Sequence, residues 1–424
     1  MRCFWLLACF VVLSSARTSQ DSEKMRFDNY SVYELNISNK MQLKLINRLC
    51  DASEKYNIWK YYDNQSRKMH VMVDPTEVKR FLLLLKLYGI SHEVLIANVQ
   101  SLIDTETEAN SRYSNTFGWK RYNTLAEIET WLDGILEKYS NVTEEFVVGT
   151  SYEGRTIRGI KISYKEGNPG VIIESNIHAN EWITSATATW FINELLSSEN
   201  QVVRELAENH DWYIVPVLNV DGFVYSHEKN RMWRKTRQPS NFSSCIGVDP
   251  NRNYDSHWMQ NDGASDDPCS QVYGGSHAYS EPEIKAMSEF ILSIKDKVNV
   301  LLAFHSYGQV LLSPYGHTAE EFPENYADLM QVAKAYADAV GTLSYGSVFQ
   351  YGSVASVLYQ ATGATNDWAY EQGILISYTI EFRDSGNFGF VLPPAFILPN
   401  CEETLTGIIA LLGECQKLGY LDAK

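Results

Sequence analysis

Two histidines and a glutamate stand directly after apolar stretches of the chain. His178 and Glu181 lie in IHANEW, which follows VIIESN, and His305 lies in HSY, which follows NVLLAF. In an α/β sheet, ligands bind beyond the strand ends, so these side chains are expected at the mouths of two strands. Two imidazoles and one carboxylate form a ligand set of catalytic zinc sites, which keep a fourth position open for water. The pattern predicts a catalytic zinc ion, with a satisfied core histidine as the alternative for His305 alone.

A third strand-end position carries Glu381, in SYTIEFRD. A carboxylate that ends a buried strand costs free energy unless it is paired, hydrated or functional. One interpretation is a salt bridge to the nearby Arg383. The functional interpretation is a general base for a water molecule whose pKa zinc lowers to about 7.

Two polar clusters contain arginines. NRMWRKTR contributes Arg231 and Arg234, and GVDPNRNY contributes Asn251 and Arg252. An Arg beside an Asn on a loop can grip a carboxylate through a bidentate fork, and ordinary loop hydrogen bonding is the alternative. The basic run from Lys229 also fits a solvated loop when it is considered alone.

Long alternating elements from Tyr122 onward must position these residues. The apolar strands VIIES and VLLAF indicate a sheet covered by helices on both faces. We predict one α/β domain with helices at 124–139, 182–196, 281–296, 322–340 and 401–415. The predicted strands are 144–150, 157–163, 171–175, 211–217, 299–304 and 375–381.

A smaller unit precedes this domain. YSVYELNI, HVMVDP and SHEVLIANV predict strands, and MQLKLINRLCDAS and PTEVKRFLLLLKLYG predict helices. This β-α-β-α-β order describes a small open sandwich. The polar stretch SLIDTETEANSRYSNTFG then predicts a disordered connector, in which Arg112 offers a trypsin-like cleavage point.

The first residues, MRCFWLLACFVVLSSA, have the form of a secretory signal peptide cut after Ala16. The alternative, a membrane anchor, needs a longer apolar run, and we expect no other spanning stretch. Sequons at Asn36, Asn64, Asn141 and Asn241 agree with secretion.

Five cysteines remain after the signal peptide. Cys245 and Cys269 lie in a loop-rich polar stretch, and an oxidising compartment would let them pair. Cys401 and Cys415 flank one predicted helix and would lie about 20 Å apart along it, so they cannot pair.

Composition excludes other classes of protein. Apolar residues make up 45% of the chain, which rules out wholesale disorder, and the formal net charge of −16 argues against a nucleic-acid surface. We expect a monomer with no nucleic-acid and no membrane partner.

HANEW, NRMWRKTR, GVDPNRN, HSYGQ, YQATGATNDW and EFRD, in this order and spacing, resemble the pancreatic-type zinc metallocarboxypeptidases of the A/B subfamily. The resemblance covers nearly the whole chain, because NVQSLID and the pattern before it resemble that family's inhibitory prodomain. It implies an α/β carboxypeptidase fold, a mixed sheet with helices on both faces, preceded by a small α/β open-sandwich prodomain. The domains would be a signal peptide at 1–16, the prodomain and connector at 17–112, and the catalytic domain at 113–424.

The resemblance also implies roles in catalysis. His178, Glu181 and His305 would bind one Zn²⁺ ion per chain. Glu381 would act as the general base and carry the proton to the leaving amine. Arg234 would polarise the scissile carbonyl and hold the developing oxyanion.

Further residues would bind the peptide or protein substrate. Asn251, Arg252 and Tyr359 would hold its free C-terminal carboxylate, which makes the enzyme an exopeptidase. Tyr307 and Phe390 match positions that line the neighbouring subsites. Cys245 and Cys269 match the family's usual disulfide, and Cys401 matches a position where an unpaired cysteine also occurs.

Asn366 would form the base of the specificity pocket. Its neutral amide predicts an A-like preference for neutral C-terminal side chains, with a B-like preference for Lys or Arg as the alternative. The other pocket residues would be Leu312, Gly316, Val354, Ala361, Ala364 and Thr379. Asn180 stands where the family usually has Arg, which predicts weaker contacts upstream of the cut bond.

The predicted function is therefore a secreted zinc exopeptidase, made as a zymogen that a trypsin-like protease activates. A hydrolase with a nucleophilic serine is disfavoured because no G-x-S-x-G elbow is present. The remaining alternative is an inactive binding homologue, and Asn180 is the only residue that supports it.

Overall fold

The computed structural model describes residues 23–113 and 116–422. The predicted signal peptide at 1–16 lies outside the described residues. The described chain forms an N-terminal unit, residues 23–112, and a larger unit, residues 116–422, which contain separate sheets.

The N-terminal unit has a four-stranded antiparallel sheet in the order β2-β3-β1-β4. Its core places Ile46, Phe81 and Leu85 of the two helices against Leu35 and Val71 of the sheet. The elements are β1 (Ser31–Asn36), α1 (Lys40–Asp51), β2 (Tyr56–Lys60), β3 (Lys68–Val73), α2 (Val78–Leu87) and β4 (Ser91–Ile96).

Strand β2 was absent from the predicted order, which is β-α-β-β-α-β in the structure. Its sequence, YNIWK, buries only Tyr56 and Trp59 and therefore lacks the alternation that marks a half-buried strand. The three predicted strands and both predicted helices of this unit are present.

The prediction of a disordered connector is wrong, because helix α3 spans Val99–Arg112. Asn98 caps the helix by accepting a hydrogen bond from the Gln100 backbone N–H. The helix buries a narrow stripe that contains Val99, Ile103 and Glu106, spaced four and three residues apart. A stripe with so few apolar residues gives little periodic signal in a polar sequence.

The larger unit has an eight-stranded mixed sheet in the order β11-β10-β12-β9-β7-β8-β6-β5. Strands β8, β7, β9 and β12 run parallel, and antiparallel pairs join β10 to β12, β6 to β8 and β5 to β6. The strands are β5 (Thr143–Thr150), β6 (Thr156–Ile162), β7 (Gly170–Ser175), β8 (Asp211–Val215), β9 (Val298–Ser306), β10 (Val310–Ser313), β11 (Gln350–Ser353) and β12 (Ile376–Phe382).

Helices cover both faces of this sheet, since every residue of β7 and β9 is buried. The predicted α/β class is confirmed, as are the five predicted helices and six predicted strands. The helices are α4 (Leu125–Lys138), α5 (Trp182–Ser197), α6 (Gln201–Glu208), α7 (Val220–Glu228), α8 (Pro282–Ile294), α9 (Tyr326–Gly341), α10 (Val354–Val357), α11 (Thr365–Glu371) and α12 (Ile397–Lys417).

By length and composition, the helical stretch Pro394–Lys417 is apolar enough to cross a membrane, contrary to the expectation that no such stretch follows the N-terminus. It packs against α9 and α5, and it buries Ile408, Leu411 and Leu412 in the core. It is therefore a core helix of the larger unit.

Cys245 and Cys269 form a disulfide, with 5.2 Å between their Cα atoms. The bridge ties together two irregular stretches of the larger unit. Cys401 and Cys415 are both buried and free, as predicted from their positions on one helix.

Candidate metal centre and substrate cleft

The predicted zinc ligands lie together at the ends of two neighbouring strands. His178 and Glu181 lie between β7 and α5, and His305 lies near the end of β9, which pairs in parallel with β7. His178 Nδ1 is 2.8 Å from Glu181 Oε1, and His305 Nδ1 is 3.2 Å from His178 Nδ1 and 3.3 Å from Glu181 Oε2. One ligand atom from each residue lies within 4.8 Å of the other two, and all three residues are buried.

The chemistry of this donor set fits zinc. Burial alone would raise the pKa of Glu181, but the His178 and His305 imidazoles outweigh it and lower that pKa to about 2, so the carboxylate is charged. His178 Nε2 lies 3.1 Å from Asp249 Oδ1. A carboxylate on one ring nitrogen holds the proton there and leaves Nδ1 free to bind a metal.

Sequence reasoning did not identify Asp249, although it lies within GVDPNRN. Its carboxylate also accepts hydrogen bonds from Arg234 Nη2 at 2.9 Å and from the Asn251 backbone N–H at 3.0 Å. Burial opposes ionisation of Asp249, yet Arg234 and His178 hold its pKa well below the usual value. Asp249 therefore links a predicted metal ligand, the partly buried Arg234 guanidinium and the loop that carries Asn251. Its only sequence signal is an acidic residue before Pro250 in a polar loop.

The Arg234 guanidinium lies beside the predicted ligands. Its Nη1 is 3.6 Å from Glu181 Oε1, and its Nε is buried with no hydrogen-bond partner among the described residues. A fixed guanidinium with an unpaired N–H is suited to stabilise negative charge that develops on a substrate oxygen.

Glu381 occupies the strand next to His305. Strands β12 and β9 pair in parallel, and Glu381 is in register with His305. Burial, with the Glu181 charge as the next cause, raises the pKa of Glu381 to about 8. The alternative salt bridge to Arg383 is wrong, because Arg383 Nε donates to Glu403 Oε1 at 2.8 Å. Glu381 is therefore a half-buried carboxyl without that counter-ion.

Asn251 and Arg252 belong to the one-turn helix Pro250–Arg252. Arg252 Nη1 donates to the Asn251 carbonyl at 2.7 Å, and Nη2 donates to the Tyr359 hydroxyl at 3.1 Å. Arg252 Nε is buried without a hydrogen-bond partner among the described residues. Asn251, Arg252 and Tyr359 line one cavity of about 80 Å³ together with the three predicted metal ligands, Arg234 and Glu381.

The N-terminal unit covers this cavity. Asn57, Trp59 and Lys60 of β2, with the following Tyr61, also line it. The Tyr61 ring lies 4.9 Å from the Tyr359 ring, measured between centroids. Residues of the N-terminal unit therefore form part of the wall of this cavity.

Tyr307 and Phe390 lie at the same contact. Trp59 packs edge-on against Phe390 with centroids 5.5 Å apart. His70 Nδ1 lies 2.9 Å from the Tyr307 hydroxyl. Side chains of the N-terminal unit therefore contact both predicted subsite residues.

The predicted specificity pocket is built around an apolar cluster. Leu312, Val354 and Ala361 pack together, and Leu312 pairs with Thr379 across β10 and β12. A Cβ atom at Gly316 would lie 2.8 Å from the Ala361 carbonyl, so this position requires glycine. Ala364 precedes α11.

Asn366 lies in the first turn of α11 and is buried. Its Nδ2 has no hydrogen-bond partner among the described residues. Asn366 does not line the cavity beneath β2. That cavity reaches the apolar cluster at Val310 and Leu358.

Asn180, the departure from the family pattern, lines the cavity. Its carbonyl accepts a hydrogen bond from Arg231 Nη1 at 2.8 Å, and its own side-chain oxygen is buried without a hydrogen-bond partner among the described residues. The amide therefore adds no cation to the cleft.

Comparisons with known proteins agree with this geometry. Residues 128–407 match a family model described as zinc carboxypeptidase, and residues 33–106 match one described as carboxypeptidase activation peptide. The chain is 48% identical to the zinc carboxypeptidase of Simulium vittatum over 71% of this chain and 99% of that protein. It is 39% identical to zinc carboxypeptidase A 1 of Anopheles gambiae over 99% and 97% of the two chains. The solved carboxypeptidase A of Helicoverpa armigera matches with a TM-score of 0.84 at 26% identity, covering 93% of this chain and 99% of that one.

Proposed function

This chain belongs to the zinc carboxypeptidase family and carries a carboxypeptidase activation peptide, and from that premise we propose which of its residues perform the reaction. The observation that carries the proposal is a single cavity. It is lined by two imidazoles, a half-buried carboxyl outside the ligand set, and an Asn–Arg pair suited to a terminal carboxylate. Metal-assisted hydrolysis at the C-terminus of a peptide needs each of these groups.

His178, Glu181 and His305 would hold one zinc ion per chain, since they offer two nitrogens and one charged oxygen in a buried cluster. Asp249 would orient His178 through its second ring nitrogen. When bound, zinc supplies Lewis-acid activation of a water molecule and of the scissile carbonyl.

Glu381 is the proposed general base. It would take one proton from the attacking water as the new carbon–oxygen bond forms, and then deliver that proton to the amine nitrogen as the carbon–nitrogen bond breaks. A carboxyl whose pKa lies near neutrality can both accept and donate a proton. Its pairing with His305 across β12 and β9 supports this role.

Arg234 is the proposed partner of the developing oxyanion. Its ion pair with Asp249 fixes the guanidinium, and its Nε remains available for a substrate oxygen. Loss of one such preorganised donor typically costs about 10² to 10³ in rate.

Asn251, Arg252 and Tyr359 would bind the terminal carboxylate. A peptide bond in mid-chain brings no carboxylate to the buried Arg252, so binding there restricts cleavage to the last residue. Tyr307 and Phe390 would contact residues upstream of the cut bond. The neutral Asn180 would add no charged contact to that upstream segment.

The proposed side-chain preference is neutral. An amide at Asn366 cannot neutralise a buried ammonium or guanidinium, so Lys and Arg should be poor C-terminal residues. The apolar side chains of Leu312, Val354 and Ala361 favour burial of an uncharged side chain.

We also propose the limits of the precursor. A trypsin-like protease would cut after Arg112, whose side chain is 66% exposed at the end of α3, and would leave a catalytic domain at 113–424. Removal of residues 17–112 would uncover the cavity beneath β2. A signal peptide at 1–16 would direct the precursor out of the cell, and the mature enzyme would act as a monomer.

Mass spectrometry of trypsin-trimmed protein with one neutral peptide tests the proposal. The peptide is supplied with either a free or an amidated C-terminus. We expect stepwise loss of single residues from the free peptide and none from the amidated form. Internal cleavage, or equal trimming of both peptides, would contradict the assignment of Asn251 and Arg252.

A further inference from the structure

The side chain of Asn251 is held from a distant part of the sequence. Its Oδ1 accepts a hydrogen bond from the Thr365 backbone N–H at 2.9 Å and a second from the Thr365 hydroxyl at 3.3 Å. An amide oxygen has two lone pairs, so these two donors satisfy it. The Asn251 NH₂ group is thereby directed away from Thr365.

Thr365 lies at a buried helix start. It is the first residue of α11 and is fully buried, and its N–H is one of the donors that a helix leaves unpaired at its start. Ala364, at the cap position, cannot satisfy that donor with its side chain. Asn251 therefore caps α11, and α11 in turn fixes the orientation of the Asn251 amide.

A buried carboxyl lies behind this pair. The Thr365 hydroxyl also faces the carboxyl of Glu174 on β7, and the Tyr254 hydroxyl lies 3.4 Å from Glu174 Oε2. The Thr365 hydroxyl therefore has a polar neighbour besides Asn251.

The opposite edge of Asn251 faces the cavity. Asn251 lines the cavity, and its Nδ2 lies 3.5 Å from His305 Nε2, which is too long for a firm hydrogen bond. A flipped amide would present its oxygen to the cavity, where an incoming carboxylate would meet an acceptor and not a donor.

We propose that Thr365 is a positioning residue for substrate binding: it locks the Asn251 amide with its NH₂ toward the terminal carboxylate and so sets the affinity for that group. The proposal rests on the assignment of Asn251 as a carboxylate ligand. Thr365 contacts neither the reacting bond nor the general base, so it should affect KM and leave kcat almost unchanged.

The position offers a graded set of substitutions. Thr365→Ser keeps both donors, and Thr365→Val keeps only the backbone N–H. Thr365→Pro removes both, and the first position of a helix tolerates proline. The preceding Ala364 already has the extended conformation that proline requires, with φ −89° and ψ 148°.

Steady-state kinetics of the trypsin-trimmed variants on a blocked neutral dipeptide tests the proposal. We expect KM to rise about 3- to 10-fold for Thr365→Val and about 10- to 100-fold for Thr365→Pro, with kcat within about 2-fold of wild type. Thr365→Ser should retain the wild-type KM. Thr362→Val is the matched control, because the Thr362 hydroxyl is buried nearby and has no hydrogen-bond partner among the described residues.

The Asn251→Ala background separates positioning from general disruption. In that background, Thr365→Pro should raise KM by less than about 3-fold, since the Asn251 amide that Thr365 positions is gone. If Thr365→Pro raises KM equally in the wild-type and Asn251→Ala backgrounds, or leaves KM unchanged in the wild-type background, the proposal is overturned. If the proline variant does not fold, the same cycle with Thr365→Val decides. A wild-type KM for Asn251→Ala alone would instead reject the assignment of Asn251.

Discussion

Glu106 of α3 and Arg231 of the larger unit form a buried two-point ion pair. Arg231 Nε lies 2.8 Å from Glu106 Oε2, and Nη2 lies 3.0 Å from Oε1. The guanidinium also lies over the Trp182 ring, with its central carbon 3.6 Å from the ring centroid. Because Glu106 lies six residues before Arg112, a cut at Arg112 leaves this pair intact. The N-terminal unit should therefore remain docked for a time after cleavage.

Replacing Glu106 with Gln should speed release of the cleaved N-terminal unit. Removing one partner of a buried ion pair typically costs about 3 to 5 kcal/mol. This loss destabilises only the docked form, because Arg231 is buried against Glu106 only there. We expect activity after trypsin cleavage to appear at least about 10-fold sooner than in wild type. The measurement is dipeptide hydrolysis against time, with cleavage at Arg112 followed in parallel on gels.

Asp104→Asn is the matched control, because Asp104 lies on the same helix with its side chain 59% exposed. Exposed ion pairs contribute little, so this variant should follow the wild-type time course. If Glu106→Gln and wild type gain activity at the same rate once cut, the ion pair does not hold the N-terminal unit.

Acid should weaken docking of the N-terminal unit through His70. Burial, with Lys60 as the next cause, lowers the pKa of His70 to about 4. Glu34 raises this pKa and Lys68 lowers it further, and the Tyr307 hydroxyl faces the His70 ring. Docked His70 is neutral near pH 7, and a released imidazole takes up a proton below about pH 6.5. Docking should thus be strongest above pH 6.5 and weaken as pH falls toward 4.

Melting temperatures of full-length and trimmed protein between pH 7.5 and 5 measure this effect. The full-length protein should lose more stability than the trimmed form over that interval, and His70→Gln should remove most of the difference. If His70→Gln retains the full pH dependence, another group is responsible.

The residue at position 366 should decide which C-terminal side chain is removed. Wild type should prefer neutral dipeptides, whereas Asn366→Asp should raise kcat/KM for Lys and Arg at least about 10-fold by supplying a buried counter-charge. A panel of blocked dipeptides that differ only in the last residue provides the test. Highest wild-type kcat/KM for Lys or Arg would show that the proposed neutral preference is wrong.

Apolar strands made much of the fold predictable. Residues 171–173 and 300–304 are all apolar and buried, as expected for strands of a sheet that helices cover on both faces. The predicted metal ligands follow directly after those strands, so His178 and His305 could be expected to meet. The register of β12 against β9 could not be read from sequence, yet it places Glu381 beside His305.

Long-range polar contacts explain what was missed. In helix α3, Glu106 pairs with Arg231, a residue 125 positions away, and a polar sequence gives no sign of such a partner. Asp249 meets His178 and Arg234 only when the β7–α5 turn and the Arg234 segment converge, whereas its third partner, the Asn251 N–H, is local. Strand β2 pairs with β3, and its own sequence has no alternation that would predict a strand.

Trimming should convert this zymogen into an active zinc carboxypeptidase in which Glu381 moves the proton. The most direct measurement compares zinc content and dipeptide turnover for full-length wild type, trimmed wild type and trimmed Glu381→Gln. We expect about one zinc per chain in all three, full turnover in trimmed wild type, almost none in the full-length protein, and a kcat at least about 10²-fold lower in trimmed Glu381→Gln. Turnover that survives Glu381→Gln, or equal activity before and after trimming, would contradict the account.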